Sequence, residues 1–190
     1  MTVQLKNNQT VHFRLLVKED EHYLYKYLNN LSPESLSRFG PHPFDSRTVE
    51  EICNNLPGDT FRFIAEDKAR NIIAYMIVIR GLIDADKIRY QLINISFDEN
   101  ISGTYAPSVA DAWQNSGLGT TMFQYILEYV KNSGYKYLIL WGGVQVLNER
   151  AVHFYYKNGF KKAGAFRHHG KENLDMFLEL QAKIFHKFSS

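Results

Sequence analysis

Trp113-Gln114-Asn115-Ser116-Gly117-Leu118-Gly119-Thr120 follows a stretch, 104–111, that reads as a β-strand, and a helical repeat begins inside it. Leu118, Met122, Tyr125, Ile126, Tyr129 and Val130 recur at helical spacing, and Gly134 supplies the stop. A strand, a glycine turn and a helix N-terminus make an anion site. Gly117 and Gly119 carry no side chains, so phosphate oxygens can approach the N–H groups that a first helical turn leaves unpaired. Two nucleotide motifs fail here. No Lys-Ser or Lys-Thr follows the second glycine, as a Walker A loop needs, and a dinucleotide fingerprint would want a third glycine and an acidic end to the next strand. What remains is Gln-x-x-Gly-x-Gly, which a plain helix-capping turn also satisfies.

One strand further on, 135–141, comes a second signature: Asn148-Glu149-Arg150-Ala151-Val152-His153-Phe154-Tyr155-Tyr156-Lys157-Asn158-Gly159-Phe160. The first motif followed by Asn-x-x-Ala-x-x-Phe-Tyr-x-x-x-Gly-Phe resembles the GNAT superfamily of acyl-CoA N-acyltransferases, over about residues 104–166. The resemblance implies that strands 104–111 and 135–141 are parallel neighbours that splay apart, with acetyl-CoA lying in the split. It maps the pantetheine arm onto main chain at Ser108, Val109 and Ala110, and the pyrophosphate onto the amides of Asn115, Ser116, Gly117, Leu118, Gly119 and Thr120, with Gln114 at the head of the motif also in the coenzyme site. Asn148 would bond the pantetheine arm, and Tyr155 would give a proton to the departing thiolate. Residue by residue, other readings stand beside these. Asn148 is a good helix N-cap, Tyr155 sits on an apolar stripe, and Arg150 and Lys157 are ordinary surface charges as readily as phosphate ligands.

The resemblance implies acetyl transfer to a primary amine, on a small molecule or a protein, with no metal. It leaves the base unassigned, because Thr104, Tyr105 and Ala106 stand where many members carry a carboxylate or histidine. Asp111 lies near the coenzyme end, and the path of Asp98 and Glu99 is open. Of His168 and His169, at most one would face the site, since neighbours in extended chain point oppositely. Segment 31–44 is similar to the acceptor side of bacterial members related to protein acetyltransferases. Arg38, Phe39 and His42 are expected to be exposed and to face a ligand, and Phe39, His42 and Phe44 to shape the cleft if the loop lies over it. The other reading is a proline-fixed surface loop packed by its own aromatics.

Outside the motifs, Val11, Phe13, Leu15 and Val17 alternate as a half-buried strand, and an amphipathic stretch runs from Lys18 to near Leu31. Pro33, Gly40, Pro41 and Pro43 then forbid a long helix. Thr48 with Glu51 reads as a capping box before the stripe Val49, Ile52, Cys53 and Leu56. Stretches 61–66 and 72–80 look like a hairpin, and 88–97 like another strand or an ordered insertion. The expected pattern is helix 149–158 and closing strands 160–166 and 174–180. Pro107 cannot donate to a ladder, which supports a break in its strand. The sum is a mixed α/β sheet, antiparallel hairpins first and then β-α-β-α-β, read as one domain over 1–190.

The chain has 190 residues, 45% hydrophobic and 22% charged, enough apolar material for one core. A net charge of +2 gives no bulk attraction to nucleic acid or to anionic membrane. Cys53, the single cysteine, excludes an internal disulfide and a thiolate metal cage, and is expected in the core. The polar first ten residues and the absence of an apolar run near ~20 residues point to a soluble, cytoplasmic protein. A homodimer and the role of the 181–190 extension stay open. A non-catalytic acyl-CoA-binding regulatory module is the rival reading.

Overall fold

A computed structural model of the chain describes residues 1–180; the 181–190 extension lies outside them. In chain order the strands are β1 (Thr2–Gln4), β2 (Thr10–Leu15), β3 (Thr60–Glu66), β4 (Ile72–Arg80), β5 (Ser102–Val109), β6 (Tyr137–Leu140), β7 (Val144–Gln145), β8 (Lys161–His168) and β9 (Lys171–Glu179). The helices are α1 (Glu21–Asn29), α2 (Pro33–Leu36), α3 (Ser46–Asn54), α4 (Asp84–Leu92), α5 (Leu118–Asn132) and α6 (Glu149–Lys157). The strands form one sheet in the order β1-β2-β3-β4-β5-β6-β9-β7, with β8 also paired to β9. Every pairing is antiparallel except β5 with β6, so the mixed α/β sheet with one parallel pair agrees with the sequence reading.

Both faces of the central strands are covered, which is why β4 is buried almost without alternation. Ala74, Met76 and Val78 turn to a core with Phe13, Phe63, Tyr105 and the buried stripe of α5, Leu118, Met122, Phe123, Ile126 and Val130. Tyr75 and Ile77 turn the other way, to Leu24 and Leu28 of α1 and Val49 and Ile52 of α3. Each such side chain contributes about 1.5–3 kcal/mol of transfer free energy. Cys53 lies in this second core, and burial pushes its thiol up to about 11, so it packs as an inert apolar group.

Four expectations are corrected. The 88–97 stretch is not a strand: Asp84–Leu92 is helical, with Asp86 and Tyr90 buried while Ile88 and Leu92 face outward. That inversion of the usual polarity hides the helical period. The cap of helix α3 falls three residues before the expected one, because the Asp45 side chain accepts from Thr48 N at 2.9 Å. Phe39, expected exposed, is buried against Tyr75 and stacked with Phe44. Strands β1 and β7 were not expected: the first is a polar edge and the second only two residues long. Among the described residues no helix is long and apolar enough to cross a membrane.

Candidate active site

Strands β5 and β6 run in register from Ser102↔Tyr137 to Tyr105↔Leu140, and Trp141 N donates to Tyr105 O at 2.9 Å. There the pairing stops, whereas β5 stays on β4 as far as Val109↔Ala74. The gap opens into a cleft of about 590 Å³. The ladder sets which groups face it. Ala110 N donates to Ile73 O at 2.9 Å, so alternation aims the amide of Ser108 at β4 as well and turns the main chain of Pro107 and Val109 into the gap. Pro107 pairs with Met76 without a register shift, and its missing N–H falls on the unpaired side, where it costs no ladder bond.

The glycine turn closes one end of the cleft. Asn115 and Gly117 both have positive φ, 62° and 85°, a left-handed path that glycine takes at no steric cost. Ser116 Oγ donates to Trp113 O at 2.6 Å and accepts from Leu118 N at 3.3 Å, while Leu118 drops into the core. Among the described residues the N–H groups of Gly119 and Thr120 meet no acceptor. Gln114 is a brace: its Nε2 donates to Val109 O at 3.1 Å and to Ser35 Oγ at 3.3 Å.

From α6, Asn148 caps the helix by accepting from Ala151 N at 3.3 Å, and its Nδ2 has no partner among the described residues. Tyr155 packs against Phe154 and Phe160, with ring centroids 5.4 and 5.1 Å away. Burial pushes its phenol well above the ordinary value, so the hydroxyl keeps its proton at neutral pH. Tyr105, equally buried, already gives its hydroxyl to Met76 S at 3.2 Å.

Of the residues expected in the site, the cleft wall contains Ser108, Val109, Gln114, Asn115, Gly117, Gly119, Thr120, Asn148 and Tyr155; Ala110, Ser116 and Leu118 lie behind it. Ser108 Oγ is bonded to Tyr27 of α1 at 2.8 Å. Arg150 and His168 also line the cleft. Asp111 accepts from Ser32 N, Ser32 Oγ and Ser35 Oγ at 2.9, 2.8 and 2.7 Å, which pins α2 to the end of β5. Partial burial opposes its charge, yet the bonds from Ser35 and Ser32 outweigh it and hold the carboxyl below its usual range.

The opposite end is built from residues that sequence reasoning missed: Asp86 and Arg89 of α4, Trp141 and Gly142 after β6, Gln145 of β7 and Asn173 of β9. Gln145 Nε2 donates to Ser37 O at 2.9 Å across the mouth. Gly143, at φ +67°, has Leu174 O 2.5 Å from where a Cβ would stand, so no other residue fits that turn.

Residues 25–160 match the family model described as acetyltransferase (GNAT) family, and the chain belongs to that family. No curated protein matches it by sequence. Among solved structures it is similar to the GNAT domain of S. lividans PAT, with a TM-score of 0.75, 16% identity, and 95% of this chain and 96% of that one covered. It is also similar to spermidine N-acetyltransferase from Vibrio cholerae in complex with CoA and spermine, at a TM-score of 0.68 and 20% identity over 90% and 96% of the two chains. An acetyltransferase of the GNAT family from Streptococcus pneumoniae gives 0.67 and 18%, covering 90% and 99%. At such identities the likeness concerns the fold.

Proposed function

We propose that the chain is one acetyltransferase domain that moves the acetyl group of acetyl-CoA to a primary amine by direct attack, without a covalent enzyme intermediate. The observation that carries this reading is the parting of β5 from β6 directly beside the unpaired amides at the start of α5. Those amides and the positive end of the helix suit a pyrophosphate. The free edge of β5 offers Pro107 C=O to an amide N–H of a pantetheine arm, and Asn148 Nδ2 supplies a donor to the arm's carbonyls.

In this reading the neutral amine attacks the thioester carbonyl, Val109 N–H steadies the developing oxyanion, and Tyr155 protonates the leaving thiolate. Holding both reactants in one cleft is itself worth roughly 7–11 kcal/mol when the geometry is right. A buried, neutral thiol at Cys53 and the lack of strong net charge fit a cytoplasmic enzyme with a small-molecule or protein amine as acceptor.

The test is release of free coenzyme thiol from acetyl-CoA with spermidine, an α-amino acid and a lysine peptide as acceptors. Tyr155→Phe is expected to lower kcat roughly 10²-fold while leaving calorimetric acetyl-CoA affinity within twofold. Unchanged turnover removes Tyr155 from the reaction. One observation favours a binding module instead: β5 carries no carboxylate or imidazole, and the hydroxyl of Thr104 is spent on Gly81 O at 2.8 Å. Tight binding of acetyl-CoA with no thiol released by any acceptor would select that reading.

A further inference from the structure

The carboxylate that β5 lacks has a counterpart elsewhere in the cleft wall. Asp111 is consumed by three hydrogen bonds, Asp98 holds Asn100 N, and Glu99 pairs with Lys87. Among the described residues the one carboxylate lining the cleft is Asp86 of α4. We propose that Asp86 is the base that takes the proton of the acceptor ammonium. This rests on the acetyltransferase reading above and names the group that completes it.

Position is the first argument. Gly142 N lies 3.2 Å from Oδ1 and 3.1 Å from Oδ2 of Asp86, and Gly142 directly follows Trp141, whose N–H makes the last bond between β6 and β5. The carboxylate therefore stands where the strands part, on the side away from the glycine turn. Valence is the second. Oδ1 accepts from both Gly142 and Arg89, whereas Oδ2 carries only the Gly142 amide and keeps a lone pair free.

Rigidity is the third. Arg89 Nη2 is held by Asp86 and, at 2.9 Å, by Asp175 of β9, and its guanidinium lies 3.8 Å over the Phe166 ring. The base thus keeps one orientation. Asp86 borders the cleft but shows no surface to solvent, so in this proposal the ammonium reaches Oδ2 through one water admitted beside Gly142. The charged and titratable groups facing it are Arg89 and Tyr90 of its own helix and Asp175 of β9. Burial raises its carboxyl above the ordinary range, with the Gly142 amide and Arg89 opposing, and that favours proton acceptance.

The protons balance as follows. An N–H bond of the ammonium breaks and an O–H bond forms at Oδ2. The freed lone pair of nitrogen attacks the carbonyl carbon, the C–S bond breaks with its electrons on sulfur, and sulfur takes the Tyr155 proton. The second proton lost by nitrogen restores Tyr155, and Asp86 releases its own to solvent as the amide departs.

Asp86→Asn keeps the shape and the acceptor for Gly142 but removes the basicity. With acetyl-CoA and spermidine, an α-amino acid or a lysine peptide, kcat/KM near pH 7 should fall roughly 10²–10³-fold. It should then recover tenfold per pH unit towards the acceptor's own pKa, as free amine replaces the missing base. The calorimetric affinity for acetyl-CoA should not change. A wild-type pH profile in the variant, or a loss equal at every pH, overturns the proposal.

A wild-type enzyme that binds no acetyl-CoA, or releases no thiol, instead overturns the acetyltransferase reading. The ¹³C carboxyl resonance of Asp86 in the wild-type protein decides independently of turnover and of whether the variant folds. Titration above the ordinary aspartate range, shifting when acetyl-CoA is added, is expected; ordinary titration overturns the assignment.

Discussion

The two ends of the cleft are made from different material. The end at the start of α5 is main chain: a left-handed turn through Asn115 and Gly117, the open amides of Gly119 and Thr120, and the free rim of β5. The end under α4 is made of side chains from four distant segments, joined by bonds such as Arg89 to Asp175 and Gln145 to Ser37 O. A main-chain site is fixed by a few consecutive residues and survives most changes around it. A side-chain site depends on the packing of the whole sheet. In the proposed reading this division lets one fold keep a common donor and vary the acceptor.

The sharpest way to break the side-chain end is Gly143→Ala, which forces a methyl group onto Leu174 O in the turn carrying Gly142. The left-handed backbone costs ~1–2 kcal/mol and the overpacking ~1–3, so a loss of roughly 2–5 kcal/mol and a fall in Tm of roughly 5–20 °C are expected by calorimetry. Its counterpart at the main-chain end is Gly119→Trp. A Cβ there meets nothing closer than Val109 Cγ2 at 3.7 Å, so the fold should hold. The indole would cover the amides and weaken acetyl-CoA about 100-fold in a titration; unchanged affinity would remove the turn from the site.

Gly117→Ala tests the same turn more gently. No atom lies within 4 Å of the added carbon, so the cost is conformational alone, about 1 kcal/mol by denaturant melt. A larger loss would mean that the turn is held by contacts and not by its backbone.

The smallest effect concerns pH at the junction of the two ends, where Asp111 pins α2. Its carboxyl is lowered in the folded chain, so its contribution is present above the unfolded value and fades as pH falls through the lowered one. Hydrogen exchange at Ser35 and Leu36 should therefore quicken below about pH 4 with the central sheet still protected, and Asp111→Asn should abolish that pH step.

The same division explains what could be read from the sequence. The hairpin β3–β4, α5 and α6 each announce themselves through local period or punctuation, and so does the glycine turn, whereas the pairing of β5 with β6 comes from the family resemblance. Asn148 and Tyr155 could be singled out because they fall in a contiguous signature. Helix α4 was illegible because it points Ile88 and Leu92 outward and buries an aspartate, the reverse of the pattern a reader counts. Asp86 and Asp175 come together only through Arg89, 86 positions from its partner strand residue, and no spacing rule reaches that far. Phe39 was misjudged for a related reason: its burial depends on Tyr75, a residue of another element.

The opened rim of β5 also bears on solubility. Unpaired strand main chain is a template on which a stray chain can stack, and natural sheets blunt it with proline or by covering the exposed groups. Here Pro107 offers no donor and Gln114 occupies the carbonyl of Val109, so only Pro107 C=O and Val109 N–H stay open, too few for a foreign strand to zip onto. The gap between β5 and β6 is thereby kept from seeding aggregates.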